Sequence, residues 1–387
     1  MSTPAPSLPI QPKKDHMNNS LQNLMRQATQ LTQAGRLNEA TAAIQRALRG
    51  ETADGAAPVR AKAWENGSGP GGAHAKASPL VLDGCVFEID TPADAGEFTS
   101  GTHTHGALTR RFKLYTPPGQ GDRPLPLVVM LHGCTQNPDD FAAGTGMNQR
   151  AREQGFCVLY PEQPQDANPS RCWNWFKHNH QQRGRGEPAL LASMTQAVMK
   201  QQRIDPQRVF IAGLSAGGAM AAIVAAAYPE IFAAVGVHSG LPTGAASNVA
   251  EALMVMKSGE LGIVMPGKGR HLGAAIKGSL RPQTAVPTIV FHGDKDTTVH
   301  PRNGEQVIAA VLGGTAAGPR VEQGVSAKGR HYTRTTRDAE HGRALTEHWL
   351  VHGAGHAWSG GSAEGSYTDG TGPDATLEML RFFFNQG

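Results

Sequence analysis

The chain has 387 residues, with 36 Lys and Arg against 32 Asp and Glu, and a formal net charge of +4 at pH 7. The basic residues are scattered and form no aromatic and basic stripe, so the charge pattern indicates no nucleic-acid partner. No apolar run is long enough to predict a transmembrane segment. Apart from its ends, the chain is long enough to bury one large core of roughly 300 residues.

The first 80 residues differ in composition from the rest of the chain. Residues 1–17 contain Pro, Ser and Lys without an apolar run of signal-peptide length, which predicts a disordered N-terminus and a cytoplasmic protein. Residues 18–49 place apolar side chains at helical spacing, with a break at Gly35, and predict a helical hairpin. The Gly-, Ala- and Pro-rich residues 50–80 predict a flexible linker.

From residue 111 onward, apolar runs alternate with helical patterns, which predicts an α/β fold with a mostly parallel sheet and helices on both faces. Strands are predicted at Arg111–Tyr115, Leu127–Leu131, Phe156–Tyr160, Val209–Ala212, Ala233–Val237, Thr288–Phe291 and Leu345–Val351, and helices at Pro188–Arg203, Ala216–Tyr228 and Asp374–Asn385. Two glycine-rich stretches, 241–281 and 313–342, do not fit the alternation. Each is either a surface insertion or a lid over a cleft.

The most informative motif is Gly-x-Ser-x-Gly at Gly213, Ser215 and Gly217. An apolar strand precedes it and an alanine-rich helix follows it, as a nucleophile elbow requires. The sharp turn of such an elbow leaves room only for small residues on each side of the serine. A glycine-rich turn with an idle serine is the alternative, and the flanking strand and helix favour the elbow.

A serine hydroxyl needs a histidine base and a carboxylate that orients it, and in this arrangement both follow the serine at the ends of later strands. One later strand is followed by Asp294 and Asp296, and the next by His352 and His356. Asp296 lies farther into its loop, where it can reach an imidazole, and His356 lies in a glycine-flanked loop that can fold over the serine. We therefore predict Asp296 and His356 as acid and base, with Asp294 shaping the turn.

Acyl transfer also requires backbone N–H groups that bind the oxyanion of the tetrahedral intermediate. The predicted donors are Ala216, directly after the serine, and Cys134, in the loop after an earlier strand. His132 begins that loop, and we expect it to brace the loop by hydrogen bonding rather than to act as a base. The sequence contains no phosphate loop, dinucleotide fingerprint or metal-ligand cluster, and this chemistry needs neither cofactor nor metal.

Six ordered motifs give the chain a resemblance to a known family. They are His132-Gly133-Cys134-Thr135-Gln136, Tyr160-Pro161-Glu162-Gln163, Cys172-Trp173-Asn174-Trp175-Phe176, Gly213-Leu214-Ser215-Ala216-Gly217-Gly218, His292-Gly293-x-x-Asp296-x-x-Val299 and Gly355-His356-x-Trp358. Over residues 82–385 the chain resembles the poly(3-hydroxybutyrate) depolymerase esterases, which are similar to bacterial feruloyl and acetylxylan esterases. The resemblance implies an α/β-hydrolase fold, a catalytic domain over residues 81–387, and a triad of Ser215, Asp296 and His356.

The resemblance also implies that Trp173, Trp175 and Trp358 bind substrate, although by residue type alone these indoles could equally lie in the core. It makes a Cys134–Cys172 disulfide possible. Without an export signal, however, reduced thiols are the default expectation.

The implied substrate is intracellular poly(3-hydroxybutyrate) or its oligomers, with feruloyl or short-chain esters as the alternative. A non-catalytic coat on polymer granules is the alternative of another class. The hairpin at 18–49 would either dock the protein on a granule surface or a granule protein, or pack on the catalytic domain or on a second copy of the chain.

Overall fold

The structure, a computed structural model, describes residues 95–119, 121, 123–260, 285–312, 318–339 and 343–386. The predicted disordered N-terminus, helical hairpin and linker lie outside these residues. Within them, no helix combines the length and the apolar character needed to cross a bilayer.

A ten-stranded sheet in the order β1-β2-β4-β3-β5-β6-β7-β10-β9-β8 forms the centre of the fold. Its strands are β1 Glu97–His105, β2 Leu108–Thr116, β3 Leu125–Leu131, β4 Cys157–Pro161, β5 Ile204–Leu214, β6 Ala234–His238, β7 Thr288–Gly293, β8 Arg320–Val325, β9 His331–Asp338 and β10 Ala344–Val351. A separate two-stranded sheet pairs β11 Trp358–Ser359 with β12 Thr368–Asp369.

The central strands from β4 to β10 run parallel, and an antiparallel pair flanks them at each end, β1 with β2 and β8 with β9. Parallel strands carry helices on both faces and are therefore apolar along most of their length. All positions of β6 and β7 are buried, for example. This explains why the central strands could be predicted from apolar runs alone.

Among the described residues, seven α-helices accompany the sheet: α1 Pro138–Thr145, α2 Met147–Gln154, α3 Gly186–Gln201, α4 Ala216–Ala227, α5 Val249–Ser258, α6 Arg302–Leu312 and α7 Ala375–Phe384. Side chains from α3, α4, α5 and α6 join one buried cluster, and side chains from α1, α2 and α7 join the other. Alternate residues of β3 enter the two clusters, Val129 one and Val128 the other. The predicted arrangement of helices on both faces is thus confirmed.

The predicted strands and helices all occur, and the structure adds elements that the sequence did not predict. The stretch 313–342, considered as an insertion or a lid, contributes β8 and β9 to the sheet over its described residues and forms no lid there. In the stretch 241–281, the described part forms α5, which packs on the loop before α6 through a hydrogen bond from His300 N to Met256 O of 2.7 Å. The rest of that stretch, from residue 261, lies outside the described residues.

Candidate active site

Ser215 lies at the turn between β5 and α4, in the position predicted for a nucleophile. Its backbone φ of 57° and ψ of −119° are unusual for a residue other than glycine, as the elbow requires. A Cβ at Gly217 would lie 2.0 Å from the carbonyl oxygen of Leu131, and one at Gly213 would lie 2.4 Å from the carbonyl carbon of Gly217. Both positions therefore exclude any larger residue.

The two acids and two histidines predicted after β7 and β10 form two separate pairs. Asp296 Oδ2 accepts a hydrogen bond from His356 Nδ1 at 2.7 Å, and Asp294 Oδ2 accepts one from His352 Nδ1 at 3.1 Å. Because β5, β7 and β10 are parallel members of the same sheet, their carboxyl ends meet at one edge. This common edge brings the acid and histidine loops beside the elbow.

Asp296 is buried and its carboxylate is held by several donors. Oδ1 accepts the backbone N–H groups of Thr298 at 2.9 Å and Val299 at 2.8 Å, and His292 Nε2 lies 3.4 Å from Oδ2. Burial opposes ionisation of the carboxyl, but the hydrogen bonds and charges of His292 and His356 outweigh it and hold the pKa of Asp296 well below its usual range. The carboxylate is therefore ionised and able to stabilise an imidazolium at His356.

The Asp294–His352 pair has a structural role, as predicted for Asp294. Asp294 Oδ1 accepts the backbone N–H of Gly353 at 2.7 Å, and His352 Nε2 lies 2.8 Å from the hydroxyl of Thr333 on β9. Both nitrogens of His352 are thus engaged away from Ser215. The pair ties the loop after β10 to the loop after β7 and to β9.

The contact between Ser215 and His356 is not made in this structure. Within the described part of the chain, the Ser215 hydroxyl has no hydrogen-bond partner. Ser215 as a whole is 8% exposed. His238 connects the serine turn with the segment that follows His356. Its carbonyl accepts a hydrogen bond from Ser215 N at 2.8 Å, and its Nε2 accepts one from Ser359 N at 2.9 Å. Catalytic hydrogen bonds are often long or poorly aligned without substrate and tighten when substrate binds, so the open contact does not argue against the pair.

The loop after β3 offers one backbone amide for an oxyanion. Gly133 N donates to Gln136 Oε1 at 3.0 Å, and Thr135 N donates to Ser170 O at 2.6 Å. Among the described residues, the N–H of Cys134 between them has no acceptor. Ala216 begins α4, so its N–H is among the first-turn amides that lack an intrahelical acceptor. These are the two donors predicted from the sequence.

His132 braces the oxyanion loop, as expected. Its Nε2 accepts the backbone N–H of Gln163 at 3.1 Å, so the ring proton lies on Nδ1, which donates to Gly133 O at 2.8 Å. Burial lowers the pKa of His132 to about 4, against smaller opposing contributions such as its hydrogen bond to Gly133. The ring is neutral and has no free nitrogen with which to act as a base.

The default expectation of reduced thiols is wrong for two of the cysteines. Cys134 and Cys172 form a disulfide, with their Cα atoms 4.2 Å apart. The backbone bond from Thr135 to Ser170 already holds the two loops together beside this pair. The disulfide therefore joins the oxyanion loop covalently to the segment that carries Trp173, while the remaining described cysteine, Cys157, is buried and forms no disulfide.

The predicted substrate-binding role of the three tryptophans is also wrong in this structure. Trp173, Trp175 and Trp358 are 0%, 4% and 1% exposed, so none offers a ring face to a substrate. The Trp173 indole donates to His132 O at 3.2 Å, and that of Trp358 donates to Thr376 Oγ1 at 3.0 Å. They are core residues whose polar ends are satisfied internally, which was the alternative reading of their residue type.

A fully buried carboxylate, Glu187, supports this part of the site and was not predicted. It accepts hydrogen bonds from Asn174 N at 2.8 Å and from Gln163 Nε2 at 2.7 Å, and Arg110 lies 3.8 Å away. Burial disfavours its charge, but the charge of His180 and these hydrogen bonds keep its pKa below the ordinary value. The only sequence signal for it is an acid in the first turn of a helix, which is common.

No group of three or more His, Cys, Asp or Glu side chains in the described ranges has the arrangement of a metal site. Within these ranges, the geometry comprises a strained serine, a hydrogen bond between a half-buried histidine and a buried aspartate, and two backbone amides without an acceptor, all at one edge of the parallel part of the sheet.

Comparison with known proteins places this geometry in a family. Residues 110–329 match the profile described as "Esterase PHB depolymerase". The chain belongs to this family. Poly(3-hydroxyalkanoate) depolymerase C of Paucimonas lemoignei is 30% identical over 233 residues, which cover 60% of this chain and 54% of that protein. Acetylxylan esterase A of Talaromyces purpureogenus is 31% identical over 202 residues, 49% of this chain and 50% of that protein.

The chain spans about half the length of these curated relatives. Among solved structures, an acetyl xylan esterase from Aspergillus awamori superimposes with a TM-score of 0.56 at 22% identity, over 74% of this chain and 99% of that one. At this identity the match shows the fold, which is the α/β-hydrolase fold of the PHB depolymerase esterases. The fold class expected from the sequence is therefore confirmed.

Proposed function

We propose that this PHB depolymerase family member is a serine esterase with Ser215 as nucleophile, His356 as base and Asp296 as the acid that orients it. The observation that carries the proposal is the hydrogen bond of 2.7 Å from half-buried His356 to buried Asp296, at the sheet edge where Ser215 lies in a strained elbow. A binding protein has no need for such a pair beside a strained serine turn. The family and its ester-hydrolysing relatives support the same reaction class.

The proposed reaction proceeds through an acyl-enzyme. The Ser215 hydroxyl attacks the ester carbonyl while its proton passes to His356 Nε2, and the oxyanion accepts hydrogen bonds from Cys134 N and Ala216 N. The carbon–oxygen bond to the alcohol then breaks, and His356 returns the proton to the leaving oxygen. Water, deprotonated by His356, attacks the acyl-enzyme and releases the acid and the free serine.

For the substrate, we propose poly(3-hydroxybutyrate) or its oligomers. The family match and the depolymerase relative support this choice. The acetylxylan esterase relatives support a short-chain acyl ester as the second candidate. The two differ in the chain that continues beyond the scissile ester, which is a hydroxyalkanoate in one case and a sugar in the other.

Product analysis after incubation with amorphous poly(3-hydroxybutyrate) granules tests reaction and substrate together, with acetylated xylo-oligosaccharides and aryl esters in parallel. Release of 3-hydroxybutyrate or its oligomers, abolished by Ser215→Ala, is the expected result. Hydrolysis of the acetylated sugars alone would select the second candidate. A folded wild-type protein whose serine is not labelled by a fluorophosphonate would instead favour a non-catalytic granule coat.

Location is a further proposal. The cytoplasmic location predicted from the sequence conflicts with the Cys134–Cys172 disulfide, because such bonds persist mainly in oxidising compartments. We propose that the protein acts where this disulfide is retained. Thiol counting on protein isolated from separated cell fractions, with alkylation at lysis, tests it, and two free thiols at Cys134 and Cys172 would contradict it. Docking on granules through residues 18–49 stays a prediction.

A further inference from the structure

Tyr367 is an exposed aromatic residue beside the oxyanion loop. Tyr367 is 46% exposed, whereas the three tryptophans predicted to bind substrate are buried. Its hydroxyl lies 3.0 Å from Thr135 Oγ1, and Thr135 directly follows Cys134, the proposed oxyanion donor. Its carbonyl accepts Trp358 N at 2.7 Å, two residues after His356. Tyr367 therefore connects the oxyanion loop with the segment that follows the proposed base.

The backbone around Tyr367 is fixed by hydrogen bonds. Its φ of 54° lies in the left-handed region, which is uncommon and strained for a bulky residue. The neighbouring Ser366 is held firmly, because its N–H and hydroxyl donate to Asp140 at 2.8 and 2.6 Å and its carbonyl accepts Gln136 Nε2 at 3.1 Å. The same Gln136 side chain accepts Gly133 N, so one residue fixes both the oxyanion loop and the base of Tyr367.

The hydrogen bonds determine which part of Tyr367 is available. The Thr135 hydroxyl has one proton, and it donates this proton to Cys134 O at 2.6 Å. Tyr367 must then be the donor in its contact with Thr135. Its O–H proton is used in holding the ring beside the oxyanion loop, so Tyr367 has no proton to donate to a ligand, and its ring face is available for an apolar contact.

We propose that Tyr367 is a specificity-determining residue whose ring face packs against the aliphatic hydroxyalkanoate chain that adjoins the scissile ester. This rests on the proposed function, since it places the scissile carbonyl at Cys134 N. A flat ring provides contact area for an aliphatic chain at little entropic cost. A lone acetyl group offers only one methyl group to such a ring, so the contact favours esters with a longer, continuing chain.

Two measurements test the proposal. The first is the ratio of kcat/KM for a linear 3-hydroxybutyrate trimer methyl ester to that for p-nitrophenyl acetate. We expect Tyr367→Ala to lower this ratio about tenfold, and Tyr367→Phe, which keeps the ring but loses its hydrogen bond to Thr135, to lower it less. Leu377→Ala removes another exposed apolar side chain, on α7, and serves as the matched control. An unchanged ratio in Tyr367→Ala, including equal losses on both esters, would overturn the proposal.

The second measurement separates this proposal from the proposed catalytic function. Calorimetric binding of the trimer is measured with Ser215→Ala, which cannot form an acyl-enzyme, with and without Tyr367→Ala. A dissociation constant raised about tenfold by Tyr367→Ala supports the contact, whereas no change, or no binding to Ser215→Ala, refutes it. If wild-type protein hydrolyses neither ester while Ser215→Ala binds the trimer, the esterase mechanism fails and the Tyr367 contact is still decided by binding.

Discussion

Replacement of Asp296 by asparagine tests the proposed acid and base because the structure determines how the new amide must point. The Oδ1 position accepts two backbone N–H groups, from Thr298 and Val299, so the amide oxygen stays there. The NH2 group then faces His356 Nδ1, which now donates to the carboxylate at 2.7 Å. His356 must turn into the tautomer with its proton on Nε2, and that nitrogen can no longer accept the Ser215 proton.

The loss of the correct tautomer determines how far kcat is expected to fall. In serine proteases the same exchange lowers kcat by about 10⁴, or about 5.4 kcal/mol of transition-state stabilisation. We expect a loss of that order for Asp296→Asn in kcat on p-nitrophenyl butyrate, with a folded protein by circular dichroism. Asp294→Asn is the matched control, since it makes the same chemical change two residues away in the pair with His352, and we expect a loss below tenfold. The reasoning is refuted if Asp296→Asn keeps more than a tenth of wild-type kcat, or if Asp294→Asn loses as much.

Two further predictions concern stability. The Cys134–Cys172 disulfide joins residues 38 positions apart, so Cys134→Ser with Cys172→Ser should lower the free energy of unfolding by about 4 kcal/mol and the melting midpoint by roughly 6 °C; a midpoint equal to that of the wild type would contradict this. His132 has a folded-state pKa of about 4, below its unfolded value, so its contribution is complete above about pH 6.5 and falls by up to about 3 kcal/mol as the pH drops to 4. Urea unfolding of wild type and His132→Asn across this range should show a shallower pH slope in the variant, and equal slopes would argue against a buried neutral ring.

The strands that were predicted and those that were missed differ in burial. The parallel strands β3 to β7 carry apolar side chains on both faces and give continuous apolar runs. By contrast, β1 and β8 at the two ends of the sheet, and β9 beside β8, are mostly polar and largely exposed or half-buried. Their pairing is decided by neighbouring strands distant in sequence, so the local pattern does not reveal them.

In the site, too, features that depend on contacts between distant segments could not be predicted from the local sequence. The pairing of Asp296 with His356 could be predicted because chain order and strand ends restrict where each can lie, and the catalytic role of Ser215 stays a prediction. Trp173 was misplaced because residue type does not tell a buried indole from one lining a cleft. Tyr367 was missed because its left-handed backbone and its contact with Thr135 arise only when the oxyanion loop and the segment after the base are folded together.

Hydrogen bonding also explains why His356, among the histidines around the elbow, suits the role of base. His132 and His238 accept backbone N–H groups at Nε2 and are held neutral by burial. His292 Nε2 donates to Val299 O at 2.8 Å, and His352 Nε2 is taken by the Thr333 hydroxyl. A general base needs one nitrogen fixed by a carboxylate and the other free to receive a proton. Within the described part of the site, His356 meets both conditions, since Asp296 holds Nδ1 and Nε2 has no partner.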